Sequence, residues 1–171
     1  MVVGHPDGSV VTLDGTAVAV WQGLVSPISI DDLVAGLIDE LPPDTALVLT
    51  ADHGHVDVGE NTVPLGPELQ GHVDLLSGEG RFRWLHAAAG HERELLEAAT
   101  ALHSDTGWVA SREQVLDEEW FGPTSTPSSV ARMGSVAVVA RDDVAYLDPD
   151  DTGPYVLLGR HGGLTEAEVR V

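Results

Sequence analysis

Two short segments of the chain combine residue types that hold divalent metals. One is Ala51-Asp52-His53-Gly54-His55, and the other is Gly159-Arg160-His161-Gly162-Gly163. A carboxylate next to an imidazole suits a transition metal such as zinc, manganese or iron. Gly54 lets the backbone turn sharply, so that Asp52 and His53 can face one point. His161, with glycines close on both sides, meets little side-chain competition in approaching an ion. The bland reading of the first segment is a turn in which Asp52 caps backbone amides and His53 packs on a neighbour. For the second it is an isolated His-Gly-Gly with no ligand role. His55 is near enough to Asp52 to reach the same site but has no motif behind it. His72, His86, His91 and His103 read as surface or packing residues. With no cysteine in the chain, any transition metal must be held by His, Asp or Glu.

Both segments follow short apolar runs, which is what positions them. Residues 46–50, Ala-Leu-Val-Leu-Thr, predict a strand buried on both faces. Asp52 and His53 would then lie just past its carboxyl end, where open α/β sheets place ligand sites. Residues 155–158, Tyr-Val-Leu-Leu, predict a second strand leading into His161. Before the first strand, Ser29-Ile30-Asp31-Asp32 opens a helix with Ser29 as its cap. Leu33, Leu37 and Leu41, flanked by Val34 and Ile38, form its apolar stripe, and Pro42-Pro43 ends it. Helix, tight turn and buried strand together predict an α/β fold.

Further along, Phe82, Trp84 and His86 alternate with their neighbours as in a strand, and residues 91–102 have helical periodicity. Ser111 with Gln114, and Thr165 with Glu168, have the form of capping boxes, with Leu164 and Val169 able to staple the second. Residues 136–140 and 144–147 read as strands around an acidic turn, and Trp84, Trp108 and Trp120 as packing residues. Residues 1–28 differ from the rest: Asp14-Gly15 between two β-rich runs, residues 10–13 and 16–21, predicts a hairpin. The acidic pairs Asp142-Asp143 and Asp150-Asp151 lack calcium-loop spacing and read as turns.

The balance of 28 acidic against 8 basic residues gives a net charge of −20, which repels a phosphate backbone and argues against a nucleic-acid duplex as partner. Hydrophobic residues at 43% are too many for a disordered chain. No run approaches a membrane span, and the first residues do not form a signal peptide. With the lack of cysteine this favours the cytoplasm, the compartment otherwise staying open.

Leu47-Val48-Leu49-Thr50-Ala51-Asp52-His53-Gly54 resembles the segment of type I phosphodiesterases and nucleotide pyrophosphatases that supplies an Asp-His ligand pair. That family lies in the alkaline phosphatase superfamily. Arg160-His161-Gly162-Gly163-Leu164-Thr165-Glu166-Ala167-Glu168-Val169 resembles its last ligand segment, and Trp120-Phe121-Gly122-Pro123 resembles its bacterial members. The resemblance covers residues 31–171. It implies that residues 29–171 are the C-terminal part of such a domain, a partial alkaline-phosphatase-like sheet with flanking helices. It also implies a phosphoester or nucleotide substrate and two divalent metals, usually zinc. Asp52 and His53 would hold the metal on the nucleophile side, and His161 the other.

The chain departs from the family's pattern upstream. No Thr- or Ser-bearing helix start after a strand-end Asp is found in residues 1–30; Thr16 precedes a strand-like run. Gly4-His5 resembles the end of the Asp-and-His motif for the second metal, but no Asp stands four residues earlier. The expectation is therefore a fragment without its nucleophile, inactive alone, binding metal weakly, and able to partner the missing N-terminal part of the domain. The alternative is a non-catalytic, acidic metal-binding or interaction domain on the same scaffold.

Overall fold

In the computed structural model of the protein, the residues described are 2–4, 10–12, 15, 17–18, 21, 28–150 and 157–170. They fall into two compact units, Met1–Leu49 and Thr50–Val171.

In the first unit, β1 (Val2–Gly4) pairs antiparallel with β2 (Val10–Thr12), with Val3 opposite Val11. Of the hairpin expected about Asp14-Gly15, residues 13, 14, 16, 19 and 20 lie outside the described residues. Among the described residues Gly15, at φ 51°, accepts from the Val18 amide at 3.1 Å, and Ala17, Val18 and Trp21 are helical. A short apolar run fits a strand or a buried helix equally well by periodicity, so its partner decides, and β2 finds one upstream. The helix α1 (Ile30–Glu40) begins as expected: Ser29 Oγ accepts from the Asp32 amide at 3.1 Å and donates to the Asp32 carboxylate at 2.7 Å. Leu37 is its buried residue.

The strand expected at residues 46–50 is absent. The segment is irregular, and Val48 and Leu49 are 82% and 62% exposed. A strand exists only where neighbours take up its backbone hydrogen bonds, and none of the described residues pairs with this run.

The second unit is built on a four-stranded antiparallel sheet. Its chain begins with β3 (Val56–Asp57), β4 (Thr62–Pro64) and a 3-10 turn at Pro67–Leu69. Then come β5 (Val73–Glu79), β6 (Phe82–Ala87), the helix α2 (Glu92–His103), β7 (Gly107–Ser111) and α3 (Arg112–Asp117). The short helix α4 (Pro127–Val130), β8 (Val136–Ala140), β9 (Ala145–Leu147), β10 (Gly159–Arg160) and α5 (Glu166–Val169) complete it. The sheet order is β5-β6-β8-β7. β8 is central, and its run Val-Ala-Val-Val-Ala is wholly buried because helices cover both faces.

On one face Leu85, Val136, Val138 and Tyr146 meet Leu95 and Ala99 of α2. On the other, Phe82, Ala137 and Val139 meet Val115 of α3, with Trp84, Trp120 and Leu164 at the margin. Each fully buried Leu or Val contributes roughly 1.5–3 kcal/mol, which makes this sheet the rigid base of the unit. Ser111 caps α3 by accepting from the Gln114 amide at 3.2 Å. Two smaller ladders lie beside the sheet: β4 runs parallel to β9, and β10 antiparallel to β3. Of the strand expected at residues 155–158, Tyr155 and Val156 lie outside the described residues. Leu157 and Leu158 are not strand; pairing starts at Gly159.

Candidate metal centre

The β3–β10 ladder sets the register of the site. Gly159 lies opposite Asp57 and Arg160 opposite Val56, so one step further His161 comes opposite His55. Val56 and Val58 turn inward and pack with Ala145, which sends His55, at the alternate position, to the other side. His53, two residues before His55, has the same parity. The imidazoles of His53, His55 and His161 therefore gather, each offering a ligand nitrogen within 4.8 Å of the others. The His53 and His161 rings stack at 3.9 Å and 13°, and His55 lies 5.1 Å from the first and 5.3 Å from the second.

His53 Nδ1 is 3.0 Å from the Gly54 carbonyl oxygen. A carbonyl can only accept, so Nδ1 carries a proton, and in the neutral ring that a metal requires the lone pair is on Nε2. Nε2 in turn lies 3.6 Å from Asp52 Oδ2, on a carboxylate that is 88% exposed. Ligand atoms around a tetrahedral zinc at about 2.0–2.1 Å are separated by about 3.3 Å. The Asp52–His53 separation is close to that spacing, and the three imidazole nitrogens, within 4.8 Å of one another, are somewhat wider apart. The donor set, three imidazole nitrogens, fits zinc or a similar borderline ion.

Two glycines hold the site's loops close to their supports. The Gly54 amide donates to the Glu168 carbonyl at 3.0 Å, and a Cβ on Gly54 would overlap the Ala167 carbonyl. A Cβ on Gly163 would sit 2.5 Å from Glu168 Oε2.

Glu168 does not serve the capping box its spacing with Thr165 predicts. Its carboxylate turns inward, away from the Thr165 amide, and takes four donors. Arg81 gives two, Nε at 2.8 Å and Nη2 at 3.0 Å; the Gly163 amide binds at 2.7 Å and the Thr165 hydroxyl at 2.7 Å. Leu164 packs against the Phe82 cluster while Val169 stays exposed, so the predicted staple is absent as well. Burial raises the Glu168 pKa, but the hydrogen bonds from Arg81, Thr165 and Gly163 and the Arg81 charge outweigh it, leaving the carboxyl below its ordinary value.

Of the residues singled out from sequence, His53 and His161 come together here, and His55 joins them; Asp52 contacts its neighbour His53, accepting from the His53 amide at 3.1 Å. The signal that could have placed His55 is the His-x-His alternation, which puts both rings on one side of an extended chain. Arg81 and Glu168 carried no such signal. His5 and Thr16 lie outside the described residues. His72 and His91 face each other, Nδ1 to Nδ1 at 2.8 Å, and His86 Nε2 meets Ser77 Oγ at 2.8 Å. His103 is buried edge-on against Tyr146, with Nε2 3.3 Å from the Leu65 carbonyl.

Three imidazoles that could hold a metal ion thus lie at the end of a small ladder on an α/β scaffold. A family model, Type I phosphodiesterase / nucleotide pyrophosphatase, matches residues 28–164, which is most of the chain and includes every residue of the centre. The chain belongs to that family, and through it to the alkaline phosphatase superfamily, whose fold its mixed α/β structure fits. No curated protein and no solved structure matches it. No helix among the described residues is long and apolar enough to cross a membrane.

Proposed function

We propose that this chain contributes a metal centre to the hydrolysis of phosphoric esters, with phosphodiesters or nucleotides as the substrate class. The observation that carries this reading is the convergence of three imidazoles from two separate segments, with Asp52 next to His53. His53, His55 and His161 would bind the ion, and Asp52 would offset part of its charge from the solvent side. When bound, a divalent ion such as zinc supplies a Lewis acid for a phosphoryl oxygen. The chain's own part is to orient these side chains: the Gly54 carbonyl fixes the His53 tautomer, and the β3–β10 register holds His55 against His161.

The family's pattern would instead divide these residues between two divalent ions in the complete site, Asp52 and His53 holding one and His161 the other. On this reading residues 29–171 would be the C-terminal part of the hydrolase domain, with the nucleophile supplied by the N-terminal part as partner and little activity alone.

His55 favours a second reading. Three imidazoles and a carboxylate are the donors a dedicated metal-binding domain would offer, with no chemistry required of it. Titration calorimetry with zinc on the wild type and on His53→Ala, His55→Ala and His161→Ala tests the centre. One equivalent should bind, and each variant should weaken it at least about tenfold. Wild-type binding no tighter than that of the triple variant removes both readings. Activity recovered on adding the N-terminal part of the domain favours the hydrolase; tight binding with no activity in any combination favours the metal-binding domain.

A further inference from the structure

We propose that the buried Arg81–Glu168 pair is the positioning device of the histidine centre, joining both metal-ligand segments to the sheet. The inference rests on the metal-site reading above and extends it to residues that touch no metal.

Arg81 is 0% exposed and immediately precedes β6, in the rigid sheet. Four of its five N–H groups are used. Nη1 donates to the Asp142 carbonyl at 2.8 Å and the Val144 carbonyl at 2.9 Å, while Nε and Nη2 grip the Glu168 carboxylate. The guanidinium cannot swing away without stranding two carbonyls, so it is a fixed point. From that point Glu168 reaches both ligand segments. Its carboxylate takes the Gly163 amide, two residues after His161, and its backbone carbonyl takes the Gly54 amide, one residue after His53.

One residue therefore sets the separation of two imidazoles that come from positions more than a hundred apart in sequence. A surface helix needs no such arrangement. α5 has only four residues, and a short exposed helix gains nothing from turning its acid inward. A buried ion pair is poor as a source of stability, since desolvation offsets most of the attraction, but it does fix geometry. The three glycines agree with that role. Gly162, at φ 100°, would place a Cβ 2.7 Å from the Glu79 side chain, and Gly54 and Gly163 would overlap α5 itself. The segments are packed to closest approach on either side of Glu168.

The test uses the whole chain. Glu168→Gln keeps the shape and one acceptor but loses the charge, and Thr165→Val removes one bond and spares the ion pair. Gly54→Ala spares the pair and pushes the His53 segment off α5. Zinc affinity should fall about 10- to 100-fold in Glu168→Gln and in Gly54→Ala, the range for partners that orient metal ligands. The fall should be smaller in Thr165→Val. Without metal, the imidazole NMR signals of His53 and His161 should both move in Glu168→Gln while amide protection in β6 and β8 stays as in the wild type.

Folded Glu168→Gln protein with wild-type zinc affinity and unmoved imidazole signals overturns the proposal. Should Glu168→Gln fail to fold, unchanged affinity in both Gly54→Ala and Thr165→Val overturns it instead. Wild type that binds no zinc removes the metal reading alone, because the metal-free imidazole signals still report whether Glu168 sets the ring positions.

Discussion

Replacing Arg81 by methionine, of similar length and without charge, separates geometry from stability. The side chain is fully buried and makes two bonds to Glu168 and two to the carbonyls of Asp142 and Val144. After Arg81→Met the Glu168 carboxylate keeps only the Gly163 amide and the Thr165 hydroxyl, while its side chain is 1% exposed. Breaking one side of a buried pair costs about 3–5 kcal/mol, most of it the desolvated charge left behind. For a domain of this size that lowers the melting temperature by roughly 6–20 °C. The double change Arg81→Met with Glu168→Leu removes the charge as well and should recover most of the loss.

The pH dependence carries a sign. In the wild type the depressed Glu168 pKa gives stability that is full above the ordinary carboxyl range and is lost as pH falls through the folded value. Without Arg81, burial dominates and the folded pKa rises, so protonation now relieves the penalty. The stability gap between wild type and Arg81→Met, read by urea denaturation, should therefore narrow between pH 7 and about pH 4. A gap under about 1 kcal/mol at pH 7, or one that widens on acidification, refutes the reasoning.

Three further outcomes are expected. With zinc or manganese supplied, the 171-residue chain should show negligible turnover of an activated aryl phosphodiester; metal-dependent turnover abolished by His53→Ala would show a complete enzyme. His103 is buried with Nδ1 unpartnered, and burial lowers its pKa despite the Leu65 carbonyl, so the unfolded chain takes up the proton first. Stability should therefore be full above about pH 6.5 and decline below it, and His103→Leu should flatten that slope; equal slopes in thermal melts from pH 7.5 to 5.5 speak against it. Gly107→Ala would press a Cβ into the Tyr146 hydroxyl and the Val139 carbonyl, and should cost about 1–3 kcal/mol by chemical denaturation, a loss that a neutral result would contradict.

Much of the site could be read from residue order. Asp52, His53 and His161 stand out because a metal needs their donor atoms and glycine beside them needs a tight backbone, both of which are properties of short segments. The helices α1 to α3 were legible for the same reason: apolar spacing and a capping Ser29 or Ser111 act within one or two turns. Pairing is not local, and there the tertiary structure decided. Residues 46–50 have strand composition but no described partner, and Ala17, Val18 and Trp21 are helical although their run is composed like a strand. His55 joins the centre only because β10 sets His161 opposite it, a register that two residues of ladder determine. Glu168 offers the clearest case. Its spacing from Thr165 promises a helix cap, yet a guanidinium 87 residues away outbids the local amide, because a buried carboxylate gains more from a fixed opposite charge than from one backbone N–H.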